Sequence, residues 1–580
     1  MAIRIPFVGE NIKTRTLVFS LSLVVIALIP RLVSLEANWS GDEARWLRRS
    51  AQFMSAVKHG DFSETRIAYH PGVTTMWLAG LRTFFTEPRW NVENLAHARL
   101  FIGIAVYFGI GVACFLLYQL FGKWIAIGSF ASLAFSPFFL AQTRRVHTDA
   151  LATIFILLTV LFFLRYAQNR QNLRDLILSG IAFGLAVLSK SYAVILLLWI
   201  PICLFFFRNQ DKQPGGLLTD VAEGLCFLNC AAITTLLIWP VFWNLPFGIL
   251  CVYLFGTTSV LVWHLKNETL SLKRFSLGVS IATLGIICFR ARETIGFVLD
   301  RVGWAVTTPH DVEHFFLGKV VYDPGWLFYI FVLSIKSTPM ILPFACVAIF
   351  FLWKQRKRSE VAMCQFKSAL TLVSGVVLFT VCFSITEKKF SRYLLPVFPL
   401  LEILAVIGFV KLLRFLFSHI HEQMPSLKTA LTLVACSFFF FFHILPVLAL
   451  CPNYGTYYNL CWKVSNITEI ITTGDAAGLY LAAKYLNQLP NANQMSVQVS
   501  DLGSPYFRHY FKGRTYRTHK NHISDIDSHR HVDYEVVYIR DSQIGWVPQE
   551  GVKGGTLEHV ITINGLNLAW IYRVETEGMR

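Results

Sequence analysis

Asn38-Trp39-Ser40-Gly41-Asp42-Glu43-Ala44-Arg45-Trp46 follows directly on the first long apolar run of the chain, Leu17 to Leu35. Ionised carboxylates lose hydration beside a bilayer, so two adjacent acids there are costly. Asp42 and Glu43 are therefore either solvated and idle or held at a polar site for a purpose. The spans behind them decide. Many return basic and aromatic residues to the side that carries Asp42, which gathers polar chemistry at one membrane face.

At 580 residues, 54% hydrophobic and only 15% charged, with a mean hydropathy of +0.52, this is not a soluble protein. The 50 Phe and 15 Trp fit spans with aromatic belts at the interfaces. A formal net charge of +17 raises nucleic acid as a partner, but no basic, aromatic-interleaved soluble module is present. In a polytopic chain such charge reflects positive inner loops and a basic cavity for anionic lipid. The first run lacks an A-x-A-type cleavage site and reads as a retained anchor. The 12 Cys sit mostly singly in apolar runs, with no CxxC pair or Cys/His metal spacing. Cys451 and Cys461 flank the start of the polar tail, as a disulfide or as free thiols.

At about 20 apolar residues per crossing, spans are expected near 17–35, 98–119, 123–141, 148–166, 174–190, 191–207 and 222–242. Others fall near 247–265, 275–290, 337–353, 366–386, 393–415 and 428–450, about thirteen in all. Arg4, Lys13 and Arg15 share one side with the basic loops at Lys123, Arg165, Arg208, Lys266 and Lys354, so the N-terminus is cytoplasmic. Arg144-Arg145 and Lys388-Lys389-Arg392 break this bias, since both lie in outer loops. An odd count puts residues 452–580 outside with Asp42. There Ala476–Leu489 reads as an amphipathic helix, and Met495–Val499, Val536–Ile539 and His559–Ile563 as strands. The expected fold is an α-helical polytopic membrane domain over 1–451 with a small extracytoplasmic α/β domain after it.

The first outer loop, 36–97, is long enough to hold helices of its own and includes Tyr69-His70-Pro71-Gly72. Asp42 suits a general base; the bland alternative is a helix cap, with Ser40, Gly41 and Asp42 opening a helical pattern. Arg144-Arg145-Val146-His147-Thr148-Asp149 pairs two outward cations, which call for an anion or carboxylate, with an acid that opens an apolar run. Lys190 lies where two apolar runs meet, either snorkelling or binding lipid phosphate. Glu387-Lys388-Lys389-Phe390-Ser391-Arg392-Tyr393 could grip a phosphate or remain a solvated basic face. His314, in Glu313-His314-Phe315-Phe316-Leu317-Gly318, has no second ligand beside it and suggests no metal site.

Taken together these pieces resemble the GT-C membrane glycosyltransferases, most closely the protein O-mannosyltransferase and lipid A aminoarabinose transferase branch. The motifs are Gly41-Asp42-Glu43, His70-Pro71, His147-Thr148-Asp149-Ala150-Leu151 and Gly184-Leu185-Ala186-Val187-Leu188-Ser189-Lys190. Trp239-Pro240, Glu313 to Gly318, Lys389 to Pro396 and Pro452 to Asn459 extend the set over most of the chain. The resemblance implies a polyprenyl-phosphate-linked sugar donor and transfer of a hexose or pentose at the outer face. By motif matching, Asp42 is the catalytic base, Glu43 helps seat the acceptor, and Asp149 faces the same cavity. His70 lies near the donor; Lys190, Arg392 and Tyr393 shape its phosphate site, with Arg144, Arg145 and Lys389 as further basic contacts. His314 belongs to a later loop over the cavity. The hairpin at 247–290 departs from the family pattern as an insertion, and the tail has no lectin-like signature. Metal use varies in this superfamily; with no ligand cluster here, no essential metal or other cofactor is expected, and a divalent metal stays an open alternative.

The expected reaction is a single inverting displacement, in a multi-pass protein of a bacterial inner membrane, onto a lipid, glycan or protein acceptor. Two other classes compete. A secondary transporter would place its charges near the midplane with repeat symmetry, whereas here they sit at span ends. A non-catalytic subunit of an envelope-glycan assembly system would explain the external domain but not the acids of the first loop.

Overall fold

The computed structural model describes residues 14–68, 70–86, 91–207, 217–244, 313–418, 425–462, 464–474, 476–500, 502–518, 531–551 and 555–574, with scattered positions between 278 and 300. Apolar segments in a bilayer must satisfy their backbone groups internally, so they fold as helices. In order these are α1 (Thr14–Leu32), α2 (Gly41–His59), α3 (Val73–Phe85), α4 (Val92–Phe121), α5 (Lys123–Phe135) and α6 (Pro137–Thr143). Then follow α7 (Thr148–Gln168), α8 (Leu173–Ser189), α9 (Leu196–Phe207) and α10 (Leu217–Ile238); later helices are named by their residues.

Among the described residues, 5 helices are long and apolar enough to cross a membrane, or up to 7 if each of two bent pairs is one span. The helices lie where spans were expected, but several are too short or too charged to count alone. The Val397–Phe417 helix, for example, carries Glu402, Lys411 and Arg414. The expected span at 247–265 lies outside the described residues, and 275–290 is described only at scattered positions. Both bends have a local cause. Pro137 starts α6 after an extended Ser136, giving 64° between α5 and α6. Ser337 is extended where Phe328–Lys336 turns 98° into Ile341–Gln355, and Pro339 follows two residues on.

Helix α7 is the central post. Its apolar window is 83% buried, against 22% for the Thr429–Ala449 segment. It packs between α4 and α8 and therefore fixes what its first turn carries.

The hairpin β1 (His314–Phe316) and β2 (Lys319–Val321) stands apart from the larger sheet. That sheet has β3 (Ser496–Ser500), β4 (Arg514–Thr518), β5 (Tyr534–Tyr538), β6 (Gly555–Ile563) and β7 (Leu566–Val574) in the order β4-β3-β5-β7-β6. β3 runs parallel to β4 and β5, while β7 runs antiparallel to β5 and β6. β3 and β5 are buried along their whole length, as strands covered on both faces are.

This C-terminal unit rests on the loop between α1 and α2. The Tyr510 hydroxyl donates to the Glu36 carbonyl at 2.5 Å and accepts from the Trp39 amide at 3.0 Å. His509 stacks on Trp39 with centroids 3.9 Å apart. Tyr506 covers Gly41 so closely that a Cβ there would lie 2.5 Å from the hydroxyl. Cys451 and Cys461 are free thiols.

Candidate active site

Ser40 is extended and caps α2, with Glu43 at the third helical position. The Glu43 carboxylate accepts from the Ser40 amide and hydroxyl, each at 3.0 Å. It also takes a fork from Arg99, 2.7 Å from Nε and 2.6 Å from Nη2, and the Val146 amide at 3.0 Å. Arg99 spends its remaining donors on the carbonyls of Leu35, Ala37 and Asn38. Burial pushes the Glu43 carboxyl up, but Arg99, Arg145 and the Val146 amide outweigh it and leave it below its ordinary value. The capping therefore falls to Ser40 and Glu43, and the adjacent Asp42 side chain is released to face elsewhere.

Asp42 stays partly open, with 29% of its side chain exposed. Its Oδ2 meets Arg392 Nη2 at 2.9 Å and His147 Nε2 at 3.6 Å, and Arg45 lies 3.8 Å from Oδ1. Burial alone would raise this carboxyl; Arg392, His147 and Arg45 hold it well below its ordinary value, so it is ionised.

Asp149, in the first turn of α7, closes the cluster. Its Oδ1 accepts from Lys190 at 2.6 Å and from the Tyr192 hydroxyl at 3.1 Å. Its Oδ2 lies 2.6 Å from His147 Nδ1 and 3.7 Å from Arg392 Nε. The same Nδ1 also faces the Asp149 amide at 3.3 Å, so the ring caps the first turn of α7. His147 thus bridges the two acids, with Nε2 turned to Asp42. The Tyr393 ring centroid is 4.4 Å from Lys190 Nζ, and the Arg392 guanidinium lies 4.3 Å from the Phe390 centroid.

His70 enters on the turn before α3. Gly72 adopts φ +60°, and a Cβ there would meet the Trp46 ring at 2.3 Å, so only glycine fits. The Gly72 amide bonds the Ser189 carbonyl at 3.2 Å and His70 Nδ1 sits 3.4 Å from the Ser191 hydroxyl, which places the imidazole beside Lys190. Burial, then the Lys190 charge, brings His70 down to about 3. It is neutral and contributes hydrogen bonding, not charge.

The structure therefore brings Asp42, Asp149, Lys190, Arg392, Tyr393 and His70 together, with Glu43 directly behind. The other expected contacts lie apart. Lys389 donates to Asp323 at 2.6 Å and to the Thr386 carbonyl at 2.5 Å. His314 is buried, 5.1 Å between ring centroids from Phe390. Arg144 donates to the Val33 carbonyl and lies over Tyr454, and Arg144 and Arg145 both line a cleft beyond Glu43. The sequence reading assigned no role to His147, Arg99 or Tyr192. His147 had a local signal, two residues before an acid at a helix start; the others had none. Among the described residues no group of three or more His, Cys, Asp or Glu is placed to hold a metal ion.

Residues 81–242 match the family model described as dolichyl-phosphate-mannose-protein mannosyltransferase. Among solved structures, the chain is similar to ArnT from Cupriavidus metallidurans bound to undecaprenyl phosphate: 15% identity, 96% of this chain and 98% of that one covered, TM-score 0.41. It is also similar to the archaeal oligosaccharyltransferase AglB from Archaeoglobus fulgidus, in complex with an inhibitory peptide and a dolichol-phosphate. There the identity is 11%, with 90% of this chain and 70% of that one covered and a TM-score of 0.48. No curated protein matches. The stretch that holds His147, Asp149 and Lys190 thus matches the dolichyl-phosphate-mannose-protein mannosyltransferase family, and the resemblance read from the sequence holds over it.

Proposed function

We propose that this chain is a membrane glycosyltransferase that moves a sugar from a polyprenyl-phosphate-linked donor to an acceptor, by a single inverting displacement with Asp42 as general base. The observation that carries the reading is an ionised, partly open Asp42 in the same cluster as the cations Arg392 and Lys190. Asp42 takes the acceptor's proton as the acceptor attacks the anomeric carbon; the bond from that carbon to the phosphate oxygen breaks, and the polyprenyl phosphate leaves with the electron pair. Lys190 and Arg392 neutralise the charge that grows on the leaving phosphate, which favours the transition state over the ground state.

A carboxylate tied to Arg392 is a weak base. Donor phosphate competes for that guanidinium, so donor binding loosens Arg392 from Asp42 and raises its basicity where it is needed. Donor binds first in this scheme, with the sugar presented to the face that carries Asp42 and the C-terminal unit, taken as extracytoplasmic. The membrane part through 451 carries the transfer, and residues 452–580 cover the first outer loop.

The test is transfer from a panel of radiolabelled polyprenyl-phosphate sugars in the presence of membrane extract. Wild type should release or transfer sugar from one donor, and Asp42→Asn should lose about a hundred- to ten-thousand-fold in rate while folding normally. Full activity in that variant would sink the assignment.

A further inference from the structure

The hairpin of β1 and β2 leaves apolar surface uncovered. Its turn is Leu317-Gly318, with φ +51° and +77°, and Phe316 pairs with Lys319 across it. Two successive left-handed residues form a turn that suits Asn-Gly or Gly-Gly. A leucine in that conformation is strained, and this one is also 49% exposed. Water compensates neither cost. Val320 and Tyr322 are exposed on the strand side that follows, and Trp326 (66%) and Leu327 are exposed beyond it. A contiguous apolar patch of this kind marks a surface that something covers.

What the hairpin packs on sets its level. The Phe316 ring lies 5.6 Å from Phe328 and 5.6 Å from Phe331, both in the first turn of the Phe328–Lys336 helix. That helix is the first half of a bent apolar pair that together can cross a membrane, and Ile330 in the same turn is exposed. The patch from Leu317 to Leu327 therefore runs on into the lipid-facing side of a span. Its polar neighbours are tied back to protein. The Tyr322 hydroxyl donates to Glu313 at 3.3 Å, Trp546 of the C-terminal unit donates to the same carboxylate, and Asp323 accepts from Lys389. Lys319 is exposed, with a stem long enough to keep its charge among headgroups. Tryptophan and tyrosine beside aliphatic side chains are the composition of a membrane–water boundary.

We propose that the Leu317-Gly318 turn, Val320 and Trp326 insert into the bilayer leaflet on the Asp42 side, so that lipid is the partner of this face. The proposal stands on these residues whether or not the chain is a transferase. The inserted hairpin is joined to the Arg392 segment at two points, His314 against Phe390 with centroids 5.1 Å apart and Asp323 with Lys389 at 2.6 Å. Anchoring the turn in lipid thus holds the wall beside Arg392 at the membrane surface.

The test places the photocrosslinker p-benzoylphenylalanine at single positions of the full chain, reconstituted in liposomes of palmitoyl-oleoyl phosphatidylcholine, and reads adducts by mass spectrometry. Phe108, exposed on the apolar α4, is the lipid-facing control, and Leu557, exposed on β6 of the C-terminal unit, is the aqueous one. Probes at Leu317 and Trp326 should form phospholipid adducts to the same extent as at Phe108, and the probe at Leu557 should form almost none. Leu317→Asn should fold as well as wild type, because asparagine takes the left-handed conformation more readily, yet it should cut the adducts from a probe at Trp326 severalfold. Absence of lipid adducts at Leu317 and Trp326, with Phe108 labelled, would overturn the insertion. Labelling at Leu557 equal to that at Leu317 would do the same, since the turn would then be no nearer to lipid than the aqueous face. Adducts joining two copies of the chain through Leu317 would assign the patch to a second copy instead. Undiminished labelling at Trp326 in Leu317→Asn would overturn the turn as the anchor.

Discussion

Every oxygen of Glu43 is occupied: Arg99 takes both, Ser40 one and the Val146 amide the other. Its neighbour Asp42 keeps an open edge toward the cluster. The adjacent acids therefore respond differently to loss of charge. Glu43→Gln leaves the buried Arg99 uncompensated, a loss of about 3–5 kcal/mol, and should lower the melting temperature sharply, whereas Asp42→Asn, whose partner Arg392 keeps contact with solvent, should lower it much less. Equal shifts in the two variants would contradict this division. In the proposed reaction His147 is a positioning residue, since it would act through Asp42. Its Nδ1 lies against Asp149 and its Nε2 3.6 Å from Asp42 Oδ2, the position from which it would take the proton that Asp42 acquires. His147→Gln should cap α7 almost as well but cannot carry that proton. The expected result is a fall in kcat of roughly ten- to a hundredfold at nearly constant KM, with a changed pH–rate profile; an unaltered profile would reduce His147 to a cap.

At the scale of elements, the site depends on where helices stop. Asp149, Lys190 and Tyr393 all lie within a few residues of helix ends, so their shared level follows from span boundaries, and those boundaries were legible as the edges of apolar runs. What was not legible is rotation. α4 and α7 are apolar on nearly every face, so their periodicity does not say which side turns inward. Arg99 on α4 reaches Glu43 across 56 positions, and no local pattern announces it. Arg144 and Arg145 stood out as cations on the wrong side, yet the bend before α6 directs them to a separate cleft. In the C-terminal unit β4 and β7 went unread, because β4 (Arg514–Thr518) is largely polar and β7 breaks its apolar run with Asn567. Gly72 was quoted in a motif, but its fit under Trp46 belongs to three-dimensional packing. Gly72→Ala forces a left-handed alanine against that ring, at a cost of about 1–3 kcal/mol. It should lower the melting temperature and also weaken transfer by displacing His70. A variant with lower stability but unchanged kcat/KM would separate the turn from the site.

For the whole molecule, the C-terminal unit braces the loop that carries Asp42 through Trp39, Gly41 and Glu36, and this contact titrates. Burial, reinforced by Arg508, lowers His509 to about 4 from an unfolded value near 6.5. A depressed histidine binds its proton more readily when the contact is open, so protonation favours the open form. The contact is therefore fully supported above about pH 6.5 and weakens as pH falls toward 4, where His509 itself becomes charged. His70, at about 3, pulls in the same direction over the same range, so acid sensitivity alone does not isolate the contact. His509→Phe keeps a ring to stack on Trp39 but cannot be protonated. Proteolysis of residues 36–41 should quicken between pH 6.5 and 4.5 in wild type and much less in His509→Phe, with part of the melting-temperature decline persisting in both through His70. Equal acid-induced cleavage in the two proteins would show that the loop opens without His509, and the brace would then rest on Tyr510 and its two backbone hydrogen bonds.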